Sequence, residues 1–302
     1  MSQFPQTFQR RCLVTGLRGF TGHHLTHALA AAGYDIFGLA HETEDLPENV
    51  LSADLTDLAA VRVAINTIKP DVVIHLAAIA FVAHGDVDAI YRTNVVGTRN
   101  VLQALADCEY RPSAVLLASS ANIYGNAEVP RIDEDTPAQP ENDYAVSKLA
   151  MEYMARLWKD RLPITIVRPF NYTGVGQTTQ FLIPKIVDHF RRRAPEIELG
   201  NLDVARDFSD VRTVVAAYVA LLDQPASGQV FNICSGRSHS LGDVIELLED
   251  IAGYRIVVKV NPAFVRANEV KRLTGDPTRL RAVVGELPAF ELRETLSWMY
   301  HA

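Results

Sequence analysis

The chain has 302 residues, 48% hydrophobic and 22% charged, with a formal net charge of −7. This is the composition of a globular chain with an ample core, and it excludes disorder or a collagen-like repeat as the main state. The negative balance argues against general binding to nucleic acid or anionic membranes, while leaving room for a local basic pocket.

No apolar run reaches the roughly 18 residues of a transmembrane helix. The longest, over 72–83, contains His75 and reads as a buried strand with the loop after it. The start MSQFPQTFQRR is polar, so no signal peptide is expected. Cys12, Cys108 and Cys234 are odd in number and far apart. Neither a disulfide framework nor a metal site is expected, and a reducing, cytoplasmic setting is predicted.

In chain order, the pattern predicts a strand over 11–15 running into glycines, then a helix over 20–32 that Gly33 ends. A strand over 35–40 follows, then a helix over 58–68 stopped by Pro70. Next come a strand over 72–76, a helix over 89–105 and a strand over 113–119. The segment 143–160 is helical, and a strand over 164–168 ends at Pro169. Continuous apolar strands alternating with helices indicate a parallel sheet covered on both faces. The expected fold is α/β: a doubly wound, Rossmann-type sheet in a dinucleotide-binding domain over 1–170. Beyond Pro169 the alternation loosens. Helices are expected at 181–193, 211–222, 241–252 and 290–299, with short strands near Ile197, at 230–233 and at 256–260. This predicts a smaller C-terminal α+β substrate lobe over 171–302, some of whose strands return to the main sheet.

Thr15-Gly16-Leu17-Arg18-Gly19-Phe20-Thr21-Gly22 joins the first strand to the first helix. Glycines there permit a tight turn and let backbone N–H groups approach a pyrophosphate at the helix N-terminus. The loop predicts a dinucleotide held by Gly16, Arg18, Gly19, Phe20 and Gly22; the plainer reading is a tight turn with no ligand. NAD sites place an acid at the end of the second strand, where this chain has Ala40. Arg18 and His41 are candidates to face an adenosine 2′-phosphate. Otherwise Arg18 is solvated and Glu42 serves the ribose. NADP(H) is therefore favoured, with NAD(H) as the alternative. Asp54 is a candidate for the adenine edge, or else an acid at a helix start.

Tyr144-Ala145-Val146-Ser147-Lys148 puts a phenol and an ammonium on one helix face. A nearby cation favours the phenolate, which predicts a lowered Tyr144 pKa and a general acid/base. The preceding strand ends Leu117-Ala118-Ser119-Ser120. Strand ends of such sheets face the ligand crevice, where Ser120 would donate to a carbonyl oxygen.

TGLRGFTG at 15–22, DL at 54–55, HLAA at 75–78, NVVGTRNVL at 94–102, SSANIYG at 119–125, YAVSK at 144–148 and RPFN at 168–171 together resemble the extended short-chain dehydrogenase/reductase superfamily. The resemblance covers almost the whole chain. It implies a catalytic triad of Ser120, Tyr144 and Lys148, with Tyr144 and Lys148 also at the nicotinamide ribose. It implies cofactor contacts at Asp54, Leu55, Leu76, Ala77, Ala78 and Asn94. It also implies a homodimer or dimer of dimers, paired through 143–160 and 89–105. Met151, Met154 and Leu157 recur at helical spacing and could form that seam, unless they are core.

GNLDVARDFSDV at 200–211, FVRANEV at 264–270, RPFNYTGVGQ at 168–177 and FNICSG at 231–236 resemble the branch acting on GDP-linked 6-deoxyhexoses. A diphosphate calls for cations, and Lys185, Arg206 and Arg266 are the candidates, each otherwise a surface charge. Asn122 and Asn171 are candidates for sugar or phosphate oxygens, and Glu269 for ribose hydroxyls. Dehydratases of this superfamily carry a glutamate two residues after the triad serine, and the fucose-forming epimerase-reductase carries a cysteine. This chain has Asn122, and an amide is no proton-abstracting base. The expected reaction is reduction of a GDP-linked 4-keto-6-deoxyhexose to GDP-D-rhamnose or its C4 epimer. The alternatives are a nucleotide-sugar 4-epimerase or 4,6-dehydratase and, from another class, a non-catalytic dinucleotide sensor.

Overall fold

Four apolar runs of the N-terminal half become strands with almost no exposed side chain. The computed structural model describes residues 9–41, 44–80, 85–202, 204–224, 226–264 and 272–302. The chain begins with β1 (Arg11–Thr15), α1 (Phe20–Ala31), β2 (Asp35–Ala40), β3 (Val50–Ser52), α2 (Leu58–Ile68) and β4 (Val72–His75). α3 (Val87–Tyr91) passes through a π-helical stretch, Arg92–Gly97, into α4 (Thr98–Asp107), and β5 (Ala114–Ala118) follows. Then come α5 (Asp143–Ala155), β6 (Ile164–Pro169), β7 (Asn171–Thr173), α6 (Leu182–Arg191), β8 (Glu196–Leu199), β9 (Ala205–Asp210) and α7 (Val211–Leu221). The last elements are β10 (Val230–Ile233), β11 (Ser238–Ser240), α8 (Leu241–Ala252), β12 (Val257–Val260), β13 (Arg272–Leu273), α9 (Thr278–Val284) and α10 (Leu292–His301). Among the described residues, no helix is long and apolar enough to cross a membrane.

The central sheet has seven strands in the order β10-β6-β5-β4-β1-β2-β3. β1 pairs in parallel with β2 on one side and β4 on the other, so the strand order reverses there. In open α/β sheets the crevice at such a reversal, beyond the strand C-termini, is where ligands sit. Buried polar bonds pin this point. His75 bonds Thr15 Oγ1 through Nδ1 (2.7 Å) and Thr98 Oγ1 through Nε2 (2.8 Å), and the Ala77 N–H donates to Thr15 Oγ1 (3.2 Å).

The chain forms two compact units. One takes the described residues of Met1–Ala118, Ala150–Ile166 and Tyr218–Gln229; the other takes Ser119–Leu149, Val167–Ala217 and the described part of Val230–Ala302. In the second, Ile186 and Phe190 of α6, Val244 and Leu248 of α8 and Leu296 of α10 share a core with Ile197 and Leu199 of β8. β9 runs between β11 and β13 and also pairs with β7. Asp207 on β9 is fully buried. Burial raises its carboxyl, opposed by hydrogen bonds from the Ser235 hydroxyl and N–H and from the N–H groups of Gly236 and Gly275.

The expected elements differ from the observed ones in places with physical reasons. The predicted helix over 89–105 is interrupted by the π-helical stretch, in which Thr98 Oγ1 donates to the Asn94 carbonyl (2.7 Å). The segment 143–160 leaves α-geometry at Arg156, where a 3₁₀ turn (Arg156–Trp158) tightens its end. β7, β9, β11, β13 and α9 were not expected from the sequence pattern.

Candidate active site

The glycine loop follows β1. Gly16 has φ +74°, and a Cβ there would lie 2.9 Å from the Ala77 nitrogen, so glycine is required on both counts. At Gly22 a Cβ would lie 2.4 Å from the carbonyl oxygens of Gly16 and Leu17, so this glycine lets α1 close on the loop. α1 starts with no side-chain cap and no acid in its first turn. Such a helix start suits an anionic ligand, since N–H groups and dipole both favour negative charge there.

Next to the loop, within the first unit, is a cavity of about 430 Å³. It is in the size range of small-molecule sites. Of the residues assigned to a dinucleotide from the sequence, Gly16, Arg18, Gly19, His41, Asp54, Leu55 and Ala77 line it. Ala40, singled out at the end of the second strand, lines it too, and Leu39, Ala53, Thr56, Ala89, Arg92 and Thr93, which the sequence reading did not assign, complete the lining. Phe20, Gly22, Leu76, Ala78 and Asn94 stand outside it. Asn94 is buried, and its amide grips the backbone of Ile79 in both directions (2.9 and 3.2 Å), fixing the chain after β4.

The charge pattern of this cavity departs from that of an NAD site. Ala40 at the end of β2 offers no carboxylate to ribose hydroxyls. Asp54 holds its Oδ1 on the N–H and hydroxyl of Thr56 (2.8 and 2.9 Å), leaving Oδ2 3.9 Å from His41 Nδ1. Its carboxyl lies below the usual range, first through the Thr56 N–H, then the Thr56 hydroxyl, then the charges of His41 and Arg92. Among the described residues, an uncapped helix start, Ala40 at the end of β2 and the side chains of Arg18, His41 and Arg92 in the cavity lining fit a phosphorylated dinucleotide.

The second unit carries the proposed triad. Ser120, Tyr144 and Lys148 are all buried. Ser120 caps the 3₁₀ turn Ala121–Tyr124 by accepting from the Asn122 N–H (3.2 Å), and its hydroxyl favours the Tyr144 phenolate. Lys148 lies one turn further along α5. The lowered pKa expected for Tyr144 is not what this environment gives. Burial pushes the phenol up to about 12, against the opposing influence of the Ser120 hydroxyl and with a further push from Tyr172. Tyr144 therefore holds its proton through neutral pH, as a donor must.

Ser120, Asn122 and Asn171 line one small pocket with Pro169, Phe170 and Leu273. Lys185 and Arg206 do not line it. Lys185 reaches the Glu198 carbonyl (3.4 Å) and sits 4.8 Å from the Phe264 ring centroid, while Arg206 donates to the Ala205 carbonyl (2.9 Å). Glu42, Arg266 and Glu269 lie outside the described residues. Arg168 of the RPFN motif has a structural role: its guanidinium is buried on the Tyr124 hydroxyl and the Glu134 carbonyl (2.8 and 3.0 Å). Tyr124 donates to Asn232, whose N–H donates to the Glu134 carboxylate, closing a buried network behind the pocket.

Known proteins share this framework. A relative named GDP-6-deoxy-D-talose 4-dehydrogenase, from Aggregatibacter actinomycetemcomitans, is 34% identical, covering 96% of this chain and 97% of its own. The GDP-6-deoxy-D-mannose reductase of Pseudomonas aeruginosa is 35% identical, covering 95% of both. A Burkholderia cenocepacia crystal structure, named provisionally as an epimerase, superposes with TM-score 0.92 at 53% identity over 97% of each chain. RMD from Pseudomonas aeruginosa, solved with NADPH, gives 0.84 at 33% identity, covering 97% of this chain and 98% of that one. The family model described as GDP-mannose 4,6 dehydratase matches residues 13–299. With that match running nearly end to end, the chain belongs to the GDP-mannose 4,6 dehydratase family of extended short-chain dehydrogenase/reductases.

Proposed function

We propose that the protein is an NAD(P)H-dependent 4-ketoreductase acting on a GDP-linked 4-keto-6-deoxyhexose, yielding GDP-D-rhamnose or its C4 epimer. The observation that carries this reading is the buried set Ser120, Tyr144 and Lys148 together with Asn122, where among the described residues no carboxylate lines the pocket of Ser120 and Asn122. The names of the two curated relatives support it. The cofactor is carried within 1–170 and the sugar nucleotide mainly within 171–302. NAD(P)H, when bound, supplies the hydride for C4. Ser120 hydrogen-bonds the ketone oxygen and polarises it. Tyr144 delivers its proton to that oxygen as negative charge develops there. Lys148, buried one turn away, stabilises the phenolate that remains. Incubation with GDP-4-keto-6-deoxy-D-mannose and NADPH, with the product followed by NMR, is the test. Absence of a 4-hydroxy product would refute the assignment. Interconversion of C4 epimers with no net NADPH oxidation would make the enzyme a 4-epimerase instead.

The preferred cofactor in this reading is NADPH. Arg18 faces the cavity where β2 ends without an acid. Charge-assisted contacts to a phosphate are strong, so Arg18→Ala should lower kcat/KM for NADPH by about 10–100-fold and leave NADH little changed. Equal losses with both cofactors would remove Arg18 from 2′-phosphate recognition.

The protein is further proposed to be a cytoplasmic homodimer or a dimer of dimers. Its three cysteines are free and buried, which suits a reducing compartment. Met151 is fully buried and belongs to the core, not to a seam. The outward stripe along α5 and the turn after it is Val146, Tyr153 and Leu157, exposed by 38%, 59% and 81%. These positions share one helix face. Light scattering at micromolar concentration should give at least twice the chain mass, and Leu157→Glu should shift it toward the monomer. A monomeric parent protein would contradict this seam.

A further inference from the structure

The sequence pattern places Arg92 within an unbroken helix. At 3.6 residues per turn, a residue five positions before Gly97 would point about 140° away from it. The observed segment Arg92–Gly97 is π-helical, and i→i+5 bonding brings positions five apart closer together around the helix than α-geometry does. Arg92 is thereby turned toward the face on which Gly97 packs. That face meets the corner after β3. A Cβ on Gly97 would lie 3.1 Å from the Leu55 Cβ, and the Asn100 amide donates to the Leu55 carbonyl (2.9 Å). Arg92 lines the same cavity as Asp54, Leu55 and Ala89. Its charge also reaches Asp54.

Two sets of elements build this cavity, and they meet where His41 Nδ1 comes within 3.9 Å of Asp54 Oδ2. Arg18 and His41 come from the glycine loop and the end of β2, where the ribose 2′ position is read. Arg92 belongs to the Asp54–Leu55 corner, where a base edge meets a carboxylate and the neighbouring side chains Ala53, Leu55 and Ala89 are apolar. A guanidinium is planar and weakly hydrated, and it stacks on flat π-systems.

We propose that Arg92 is an adenine clamp, stacking its guanidinium on the base of the dinucleotide and binding NAD(H) and NADP(H) alike. The proposal rests on the reading that this cavity takes a dinucleotide. It divides the labour between two arginines: Arg18 discriminates between the cofactors, and Arg92 holds what they share.

Calorimetric titration with 5′-AMP and 2′,5′-ADP tests this without substrate or hydride transfer. Arg92→Ala should weaken both ligands to the same extent, about tenfold, as expected for loss of a stacked cation. Arg92→Tyr, which keeps a plane without the charge, should recover most of the affinity, and Arg92→Lys, which keeps the charge without the plane, should not. Arg92 is exposed, and circular dichroism of each variant confirms that the fold is retained. A loss confined to 2′,5′-ADP would overturn the clamp and make Arg92 a phosphate reader. Unchanged affinity in Arg92→Ala, or rescue by lysine alone, would also overturn it. A parent protein that binds neither nucleotide would instead overturn the dinucleotide reading on which the clamp depends.

Discussion

Tyr144→Phe is expected to bind NADPH normally and to lose turnover by about 10²–10⁴-fold, the usual contribution of a positioned general acid. The substitution removes one hydroxyl from a buried ring and leaves its packing on α5 intact. What disappears is the proton for the alkoxide. The elevated phenol adds a second expectation. Because burial pushes Tyr144 up to about 12, the proton is in place throughout the neutral range. For a donor, activity is present below its pKa and lost as pH rises through it. The kcat/KM for reduction reports groups of the free enzyme, so it should show no alkaline decline attributable to Tyr144 near neutrality. Fluorescence titration of NADPH with the variant, beside a pH–rate profile of the parent, measures both. Near-normal reduction by Tyr144→Phe would remove this residue from the mechanism.

Much of the scaffold for this chemistry can be read from sequence, because it is built from repeated local signals. The continuous apolar strands β1, β4 and β5, the glycines after β1 and the Tyr-x-x-x-Lys spacing on α5 each have one strong physical interpretation. The hidden features depend on tertiary burial. β9 spells Ala-Arg-Asp-Phe-Ser-Asp, which reads as a polar loop. It is a strand because Asp207 finds backbone donors from Ser235, Gly236 and Gly275 when buried, donors that lie far along the chain. The π-helical stretch is silent for a similar reason. RTNVVG has nothing unhelical about it; the wider turn accompanies the Thr98 hydroxyl on the Asn94 carbonyl and the amide of Asn94 on Ile79. Arg92 was therefore missed, while Asn94, named for contact with the cofactor, is buried and holds the backbone of Ile79. The pKa of Tyr144 shows the same limit. Spacing points to Lys148 as a cation that would lower it, whereas the first cause of the shift is burial, which belongs to the folded chain.

The second large effect concerns what the enzyme should fail to do. Purified protein given GDP-D-mannose and NADP⁺ should form no 4-keto-6-deoxy sugar, although its family model is described as a dehydratase. Elimination across C5–C6 requires a base to take the C5 proton, and loss of a general base typically costs about 10²–10⁴-fold. At the position two residues after Ser120, the side chain in the pocket is Asn122, whose neutral amide holds no proton-accepting charge. The acids of the following loop are poor substitutes. Asp133 is committed through Oδ1 to the Asp135 N–H and the Thr136 hydroxyl (3.2 and 2.8 Å). Glu128 is exposed, and neither it nor Asp133 lines the pocket with Ser120. Hydride delivery needs none of these carboxylates, so reduction of the 4-keto sugar should proceed in the same preparation. Mass spectrometry of both incubations separates the cases, because dehydration removes one water and reduction adds two hydrogens. Accumulation of the 4-keto-6-deoxy product from GDP-D-mannose would show that a carboxylate enters from elsewhere, and Glu128→Gln and Asp133→Asn would then identify which one.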